Sequence, residues 1–356
     1  MPSLAPRRIG LSQAPALNLT VGVGRIVAMS LLMTASGLAA GPIPSARVTN
    51  RYEGARMSMA CLYAIEAYAP AAVDVRAATE AALDEVDRID RLMSHYKAES
   101  PLSEINRRAA SQPVPAPREL FDFIAESFRY AGLSGGAFDI TVGPLMRAWG
   151  FFRGDGRLPS KEELQSARRL VGPRHVRLDA DLGTVAFDTA GVELDLGGIA
   201  KGYAVDRAVA VLRARGVTAA LVSAGGSTVY GLGAPPGAEA WAVEIADPLD
   251  ARRSATTVHV RDRALSIAGR SEKWFEAKGV RYAHIMDPRT GSPVQGMLTV
   301  AVLSDSGTAG DALDDALFVL GPAASQSLLN AVSGTAALFF VPRGTHGWYL
   351  VRAESQ

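Results

Sequence analysis

Three aspartates stand close together near the C-terminal end of the chain, at Asp311, Asp314 and Asp315. The surrounding apolar pattern predicts a helix over 311–320, on which Asp311 and Asp315 lie one turn apart on the same face. Like charges at this spacing repel each other, and a divalent cation removes the repulsion. Carboxylates, phosphate oxygens and water are the ligands that Mg²⁺ prefers. The stretch is therefore either a cation site or a set of acidic residues favoured by the helix dipole, and spacing alone leaves both open.

A glycine-rich turn forms the second group, where Gly197 and Gly198 precede a predicted helix that ends at 212. Glycines before a helix let backbone groups approach a ligand, and a helix N-terminus favours phosphate. Lys201 adds a cation there. The glycine spacing matches neither a Walker loop nor a dinucleotide fingerprint, and the alternative is a tight connection between a strand and a helix.

A histidine and an aspartate flank the third group, the turn Asp-Pro-Arg-Thr-Gly. His284 and Asp287 could position or deprotonate a hydroxyl group, or the segment could serve only as a turn. Two other glycine segments, at 134–139 and 223–226, are equally open. They indicate either backbone close to a flat ligand or plain turns.

Helices and strands must position these residues. The order of predicted helices and strands does not alternate strictly, and this predicts an α+β fold with mixed or antiparallel sheets and packed helices. Apolar residues at steps of three and four predict helices over 74–93 and 119–131, besides the one that ends at 212 and the one at 311–320, for which Thr308 is a candidate cap. Strands are predicted at 57–68, 174–178, 184–188, 219–223, 241–245 and 298–303, with a terminal hairpin over 335–341 and 348–351.

Composition limits the classes of protein to which this chain can belong. The chain has 356 residues, 48% of them hydrophobic, which is typical of a soluble globular protein. A formal net charge of +1 offers no general electrostatic basis for binding nucleic acid. Cys61 is the single cysteine, so the chain can form no internal disulfide.

The first forty residues differ from the rest. They contain Arg7, Arg8 and Arg25, no acidic residue, and an apolar run over 26–40. This pattern predicts a leader for export over residues 1–40, followed by a single domain over 41–356. A disordered extension or a misplaced start is the alternative. The run is short for a transmembrane helix.

Five segments in order resemble the ApbE-like family, the FAD:protein FMN transferases. They are Met-Ser-His-Tyr at 93–96, Gly-Gly-Ala-Phe-Asp-Ile-Thr-Val-Gly-Pro at 135–144, Asp-Leu-Gly-Gly-Ile-Ala-Lys-Gly-Tyr at 195–203, His-Ile-Met-Asp-Pro-Arg-Thr-Gly at 284–291, and Asp-Ala-Leu-Asp-Asp-Ala-Leu at 311–317. The resemblance implies a two-lobed, T-fold-related architecture. It also implies an enzyme that moves the FMN half of FAD onto a threonine or serine hydroxyl of a target flavoprotein and releases AMP.

The resemblance further implies a set of site residues. Mg²⁺ would be held by Asp311, by Asp315 and by the backbone carbonyl of Gly198. His284 or Asp287 would assist the hydroxyl. FAD would contact Met59, Tyr96, Ala137, Phe138, Asp139, Asp195, Lys201 and Ile285.

The chain departs from the family pattern at three places. Asp315 replaces the usual threonine of the metal helix, and Met59-Ala60-Cys61 replaces the usual Met-Gly-Thr. The usual Thr-Ser-Gly segment reads Ile267-Ala268-Gly269-Arg270, which places Arg270 near the flavin or the substrate.

Partners and location follow from the resemblance and the leader. They imply FAD and an acceptor flavoprotein of the cell envelope as partners, no nucleic acid, a periplasmic or envelope location, and membrane association through the leader. Three other functions stay open: an FAD pyrophosphatase that yields FMN and AMP, a flavin-binding protein without activity, and an exported structural protein.

Overall fold

Antiparallel strand pairing organises most of the chain around one large sheet. The computed structural model describes residues 49–152, 154, 156–344 and 347–356, so the predicted leader lies outside the described residues. The strands are β1 (Thr49–Ser58), β2 (Cys61–Pro70), β3 (Val114–Pro115), β4 (Val176–Asp179), β5 (Thr184–Phe187), β6 (Ala219–Ala224), β7 (Thr228–Leu232), β8 (Trp241–Asp247), β9 (Asp250–Val260), β10 (Arg263–Gly269), β11 (Trp274–Ala277), β12 (Val280–Ala283), β13 (Met286–Asp287), β14 (Ser292–Pro293), β15 (Thr299–Ser304), β16 (Ala336–Arg343) and β17 (Gly347–Glu354).

The main sheet has eight strands in the order β1-β2-β6-β7-β10-β15-β16-β17. Every neighbouring pair in it is antiparallel. The smaller sheets are β3-β5-β4 and the two-stranded pairs β8-β9, β11-β12 and β13-β14. This architecture confirms the predicted α+β class.

The helices are α1 (Val75–Met93), α2 (Pro101–Arg108), α3 (Arg118–Leu133), α4 (Gly143–Ala148), α5 (Lys161–Arg169), α6 (Ala200–Ala214), α7 (Gly307–Leu320) and α8 (Gln326–Ala331). Helix α6 packs against both α1 and α7, all three pack against the main sheet, and their apolar faces contribute to the principal core. Hairpin β8-β9 supplies Trp241 to a second core cluster, together with Leu265 and Phe340 of the main sheet. None of the helices within the described ranges is long and apolar enough to cross a membrane.

Most predicted elements are confirmed, because their periodicity reflects burial. Helix α1 begins after Asp74, whose side chain accepts a hydrogen bond from the Ala77 amide. The predicted cap of α7 is wrong: Ser306, not Thr308, accepts from the Ala309 amide. Thr308 lies inside the first turn and donates its hydroxyl to Asp206.

The single strand predicted over 57–68 is also wrong, since the segment is a hairpin. Ser58 pairs with Cys61, and Met59 and Ala60 form a two-residue turn with φ of 49° and 60°. Two consecutive positive φ angles suit the twist of a hairpin, but they are uncommon for residues other than glycine, asparagine or aspartate. The turn therefore lacked the usual sequence signal.

Two glycines bring the beginnings of α6 and α7 into contact. A Cβ at Gly202 would overlap the Gly307 carbonyl, and a Cβ at Gly307 would lie 2.7 Å from the Gly202 oxygen. Asp206 of α6 then accepts hydrogen bonds from the Gly307 and Thr308 amides, at 2.7 and 2.8 Å. This close approach sets the acidic helix beside the glycine-rich turn.

Candidate active site

A half-open cavity of roughly 620 Å³ lies where α7, the glycine turn before α6 and the β1-β2 turn meet. Every predicted site residue lines this cavity except Asp287. The lining residues comprise His284, Met59, Tyr96, Ala137, Phe138, Asp139, Asp195, Lys201, Ile285, Gly198, Asp311 and Asp315. The structure thus brings six separate sequence segments to one cavity.

The acidic helix α7 presents its carboxylates to the glycine turn. A Cβ added at Gly198 would lie 2.5 Å from Asp315 Oδ2, so only glycine leaves the backbone room beside this carboxylate. Asp311 Oδ2 accepts a hydrogen bond of 2.7 Å from the Gly202 amide, and Oδ1 accepts from the Thr228 hydroxyl. Both side chains are thereby directed to the same end of the cavity.

Burial makes these carboxylates hard to ionise. It raises the pKa of Asp311 to about 6, although the nearby Lys201 ammonium opposes the shift. Burial and repulsion from Asp311 raise the pKa of Asp315 to about 7. The pKa of Asp314 is raised well above its ordinary value by burial and by the charges of Asp315 and Asp311. Three crowded carboxyl groups at one site call for a compensating cation.

This donor set fits Mg²⁺. Within the described residues no three His, Cys, Asp or Glu side chains converge in an arrangement that would hold a metal by themselves. Magnesium commonly takes one or two carboxylates and completes its shell with water and substrate phosphates. Asp311 and Asp315 supply the carboxylates, and the backbone beside Gly198 is close enough to share the site.

Lys201 adds a fixed cation in the first turn of α6. Burial alone would lower the pKa of its ammonium, but Asp311 and Glu272 outweigh that effect and raise the pKa. The group therefore stays charged beside the carboxylates and could contact a phosphate.

Three aromatic rings form a cluster beside the cavity. The ring of His95 lies 3.9 Å from that of Tyr96 and 4.7 Å from that of Phe152, measured between ring centroids. Tyr96 is 57% exposed, so its ring is open to a ligand. Such a cluster can stack against a flat heterocycle. The sequence did not single out His95 as a site residue, although it is part of the Met-Ser-His-Tyr motif and lines the cavity.

Asp195 holds His95 in place. Its Oδ1 lies 3.2 Å from His95 Nδ1 and accepts a hydrogen bond of 2.8 Å from the Gly197 amide. Burial would raise the pKa of Asp195, but the interaction with His95 outweighs it and the pKa is lowered. Asp195 thus couples the aromatic cluster to the glycine turn.

His284 has a carboxylate neighbour, Glu272, that the sequence did not single out. Its Nε2 lies 3.8 Å from Glu272 Oε2, and Glu272 also lines the cavity. Burial lowers the pKa of His284, and the charge of Glu272 opposes that shift. A neutral imidazole beside a carboxylate is suited to accept a proton.

Asp287 is held in the turn rather than in the cavity wall. Its carboxylate accepts from the Arg289 amide at 3.0 Å and pairs with the Arg289 guanidinium at 2.9 Å. The Asp287 carbonyl also accepts from the Gly291 amide. The catalytic role suggested for Asp287 stays a prediction, and its observed contacts are those of a turn residue.

The segment 137–139 supports the cavity floor. Asp139 Oδ1 accepts from the Thr141 amide and hydroxyl at 2.8 and 2.7 Å, and burial raises its pKa despite these bonds. Gly135 and Gly136 precede it with φ of 59° and 78°, which ends α3 and turns the chain into the site. Gly136 is thus a turn residue at a helix end, one of the two readings left open by the sequence.

The chain has an antiparallel α+β fold, and its cavity holds buried carboxylates beside a glycine turn. These features define a class of proteins whose cleft suits a flat, phosphate-bearing ligand. The ApbE family model matches residues 59–339. The chain belongs to the ApbE family, as the motifs in the sequence indicated.

Related proteins are similar in sequence over most of the chain. The FAD:protein FMN transferase of Treponema pallidum is 34% identical over 308 residues, covering 82% of this chain and 84% of that protein. The FAD:protein FMN transferase of Vibrio cholerae is 34% identical over 250 residues, 67% of this chain and 72% of that protein.

Solved structures of the family have a similar fold. The crystal structure of the ApbE protein of Thermotoga maritima superposes with a TM-score of 0.78 at 30% identity, covering 86% of this chain and 97% of that chain. The apo form of the Pseudomonas stutzeri flavinyl transferase ApbE gives a TM-score of 0.76 at 28% identity, covering 86% and 95%.

Proposed function

We propose that this protein is an FAD:protein FMN transferase that depends on Mg²⁺ and releases AMP. The observation that carries the proposal is the placement of Asp315 against the Gly198 backbone and of Asp311 against the Gly202 amide, with the Lys201 ammonium beside them. Membership of the ApbE family and the names of its relatives support the same activity.

The cavity offers a place for each part of FAD. The exposed ring of Tyr96, backed by His95, can stack on the flat isoalloxazine. The diphosphate would lie at the other end, near Lys201 and the beginning of α6, where helix amides favour anions. Mg²⁺ held by Asp311, Asp315 and the Gly198 carbonyl would neutralise the diphosphate charge there.

The reaction is a phosphoryl transfer. The acceptor hydroxyl oxygen forms a bond to the phosphorus on the FMN side, and the bond from that phosphorus to the AMP oxygen breaks. His284 Nε2 is placed to take the hydroxyl proton, and Glu272, 3.8 Å away, stabilises the imidazolium that results. The remaining lining residues position the groups, which is the main contribution of proteins to this chemistry.

The test combines two measurements on one reaction. The protein is incubated with FAD, Mg²⁺ and a fractionated envelope extract, and flavin adducts are read by mass spectrometry while AMP is quantified. We expect an FMN adduct on a threonine or serine and one AMP for each adduct. Asp311→Ala should abolish both products, whereas Asp181→Ala, at an exposed position outside the cavity lining, should leave them unchanged.

Other outcomes separate the alternatives. AMP and FMN without an adduct would make the protein an FAD pyrophosphatase. Bound flavin without AMP would make it a flavin-binding protein. Transfer that persists undiminished in Asp311→Ala would contradict the metal assignment.

We also propose that the protein is exported and acts at the cell envelope, with membrane association through its leader. The basic start and the apolar run over 26–40 support this proposal. Fractionation of cells that express the full chain tests it: recovery of the protein only from the cytoplasm would contradict export.

A further inference from the structure

A cluster of cations occupies the surface beside the cavity, on the loop after β10 and on the β11-β12 hairpin. The segment 270–281 contains Arg270, Lys273, Lys278 and Arg281, against the two carboxylates of Glu272 and Glu276. We call these four cations, with Trp274, the basic patch. The net charge of the segment 270–281 is +2, in a chain whose total is +1.

The cations of the patch have no carboxylate of their own. Across the part of the chain that the structure describes, none of the four takes part in an ion pair within 4.0 Å, and Glu272 has His284 as its partner instead. Arg270 and Arg281 lie close enough that the charge of Arg281, after burial, lowers the pKa of Arg270. The Nε atom of Arg270 is buried and has no hydrogen-bond partner among the described residues. Glu276 lies opposite Arg281 in the β11-β12 register but forms no ion pair with it within 4.0 Å, so the two arginines repel each other without a bound carboxylate.

An exposed aromatic residue lies within the same patch. Trp274 is 45% exposed, and the Arg281 guanidinium stacks over its ring at 3.9 Å. Trp274 and Arg281 share the outer face of the β11-β12 hairpin, while Phe275 and Tyr282 pack inward against the third core cluster. Tryptophan and arginine together are typical of surfaces that bind other proteins.

The position of the patch selects its partner. Gly269, Glu272 and Lys273 line the cavity, whereas Arg270 and Arg281 do not. A molecule enclosed in the cavity therefore meets Lys273, while Arg270 and Trp274 adjoin the lining residues Gly269 and Lys273 in the chain and lie outside the lining. The acceptor protein must reach in from solution to bring its hydroxyl to His284.

We infer that the basic patch binds a carboxylate-bearing segment of the acceptor protein next to the hydroxyl that receives FMN. This inference rests on the proposed function. Carboxylates would pair with Arg270 and Arg281, and an apolar side chain of the segment would rest on Trp274. Arginine suits this task because its planar fork binds a carboxylate through two donors.

Peptide binding tests the inference without requiring transfer. Fluorescein-labelled short peptides with one central threonine carry either Asp and Glu or Asn and Gln at the flanking positions. Fluorescence anisotropy measures their affinity for the full chain, with no FAD added, at low and high salt. We expect the acidic peptide to bind roughly five- to tenfold more tightly at low salt and to lose this advantage at high salt.

Variants assign the preference to the patch. Arg270→Gln/Arg281→Gln should remove the preference for the acidic peptide, and Arg270→Gln alone, which keeps the Arg281–Trp274 stack, should reduce it. Arg252→Gln is the matched control, because Arg252 is 90% exposed in its side chain and lies on the β8-β9 hairpin outside the cavity lining. Equal binding of both peptides, or a preference that survives in the double variant, would overturn the inference.

FAD binding, monitored by flavin fluorescence, distinguishes a patch that binds the acceptor from a patch that binds FAD. Weaker FAD binding in Arg270→Gln/Arg281→Gln, with the peptide preference intact, would assign the patch to FAD and overturn the inference. A protein that prefers the acidic peptide yet transfers no flavin would contradict the proposed function and leave the patch supported.

Discussion

The carboxylate of Asp315 lies directly against the backbone of Gly198, with space for no more than a hydrogen atom at the glycine α-carbon. Asp315 belongs to α7 and Gly198 to the turn before α6, so this contact joins the acidic helix to the glycine turn. It is the relationship on which the proposed Mg²⁺ site depends.

Gly198→Ala should weaken Mg²⁺ binding. The added methyl group would meet Asp315 Oδ2 at 2.5 Å and would push the carboxylate away from the turn. We expect the Mg²⁺ concentration for half-maximal FMN transfer to rise on the order of tenfold, equivalent to about 1.4 kcal/mol. Gly132→Ala is the matched control, because a methyl group at Gly132 on α3 would meet nothing within 4 Å. Similar Mg²⁺ requirements in the two variants would contradict a role for the Gly198 backbone.

Asp315→Asn should stabilise the metal-free protein in a pH-dependent way. The pKa of Asp315 is about 7 in the folded protein against an ordinary 3.8, so the folded state keeps a proton that the unfolded state has released between these values. Asp315 therefore does not destabilise the folded protein below about pH 4, and its destabilising effect is greatest above about pH 7.

The measurement is thermal or urea unfolding without Mg²⁺. We expect Asp315→Asn to raise the free energy of unfolding by about 1–3 kcal/mol at about pH 8 and by little at about pH 4. Exposed Asp181→Asn should change neither value. A gain of equal size at both pH values would show that the effect does not come from ionisation of Asp315.

Glu272→Gln should move the acid limb of the pH–rate profile to lower pH. The charge of Glu272 raises the pKa of His284 against the lowering effect of burial, so its removal lets the imidazole lose its proton at a lower pH. If His284 accepts the hydroxyl proton, the active neutral form then persists further into acid. The profile of kcat/KM for FMN transfer measures this shift. Glu276→Gln, on the outer face of β11, serves as control. An unchanged acid limb in Glu272→Gln would show that Glu272 does not influence the proposed base, His284.

Ala60→Gly should stabilise the β1-β2 turn whatever the function of the protein. Ala60 has φ of 60°, which costs an ordinary L-residue about 1–2 kcal/mol and costs glycine nothing. Part of this gain is lost because glycine makes the unfolded chain more flexible, so we expect a net increase of about 0.5–1 kcal/mol in the free energy of unfolding. Ala55→Gly on β1, where the backbone is extended, should instead destabilise the protein. A loss of stability in Ala60→Gly would show that the turn is not strained.

Much of the fold could be predicted from the sequence, because burial leaves a periodic pattern in the chain. The helices at 74–93 and 119–131 were predicted within a few residues of α1 and α3, and strands β4 and β5 were found as well. The hairpin at Met59–Ala60 was missed because its turn carries no glycine, asparagine or aspartate. Strands β9, β11 and β12 were missed because their outer faces are polar and their alternation is weak.

The candidate site was predicted in part, for a similar reason. The motifs named the groups that now line the cavity, but they gave no sign that Glu272 faces His284 or that His95 pairs with Asp195. Those contacts join side chains far apart in sequence, and no local pattern records them.

The sequence by itself determined which chemical groups are available: carboxylates on one helix face, glycines before another helix, and a lysine in its first turn. Only the tertiary structure decided that they meet. Gly202 and Asp311 are 109 positions apart and are joined by one hydrogen bond. The physical reason is packing: Gly202 and Gly307 lack side chains, so α6 and α7 approach closely enough for a buried carboxylate to reach the glycine turn.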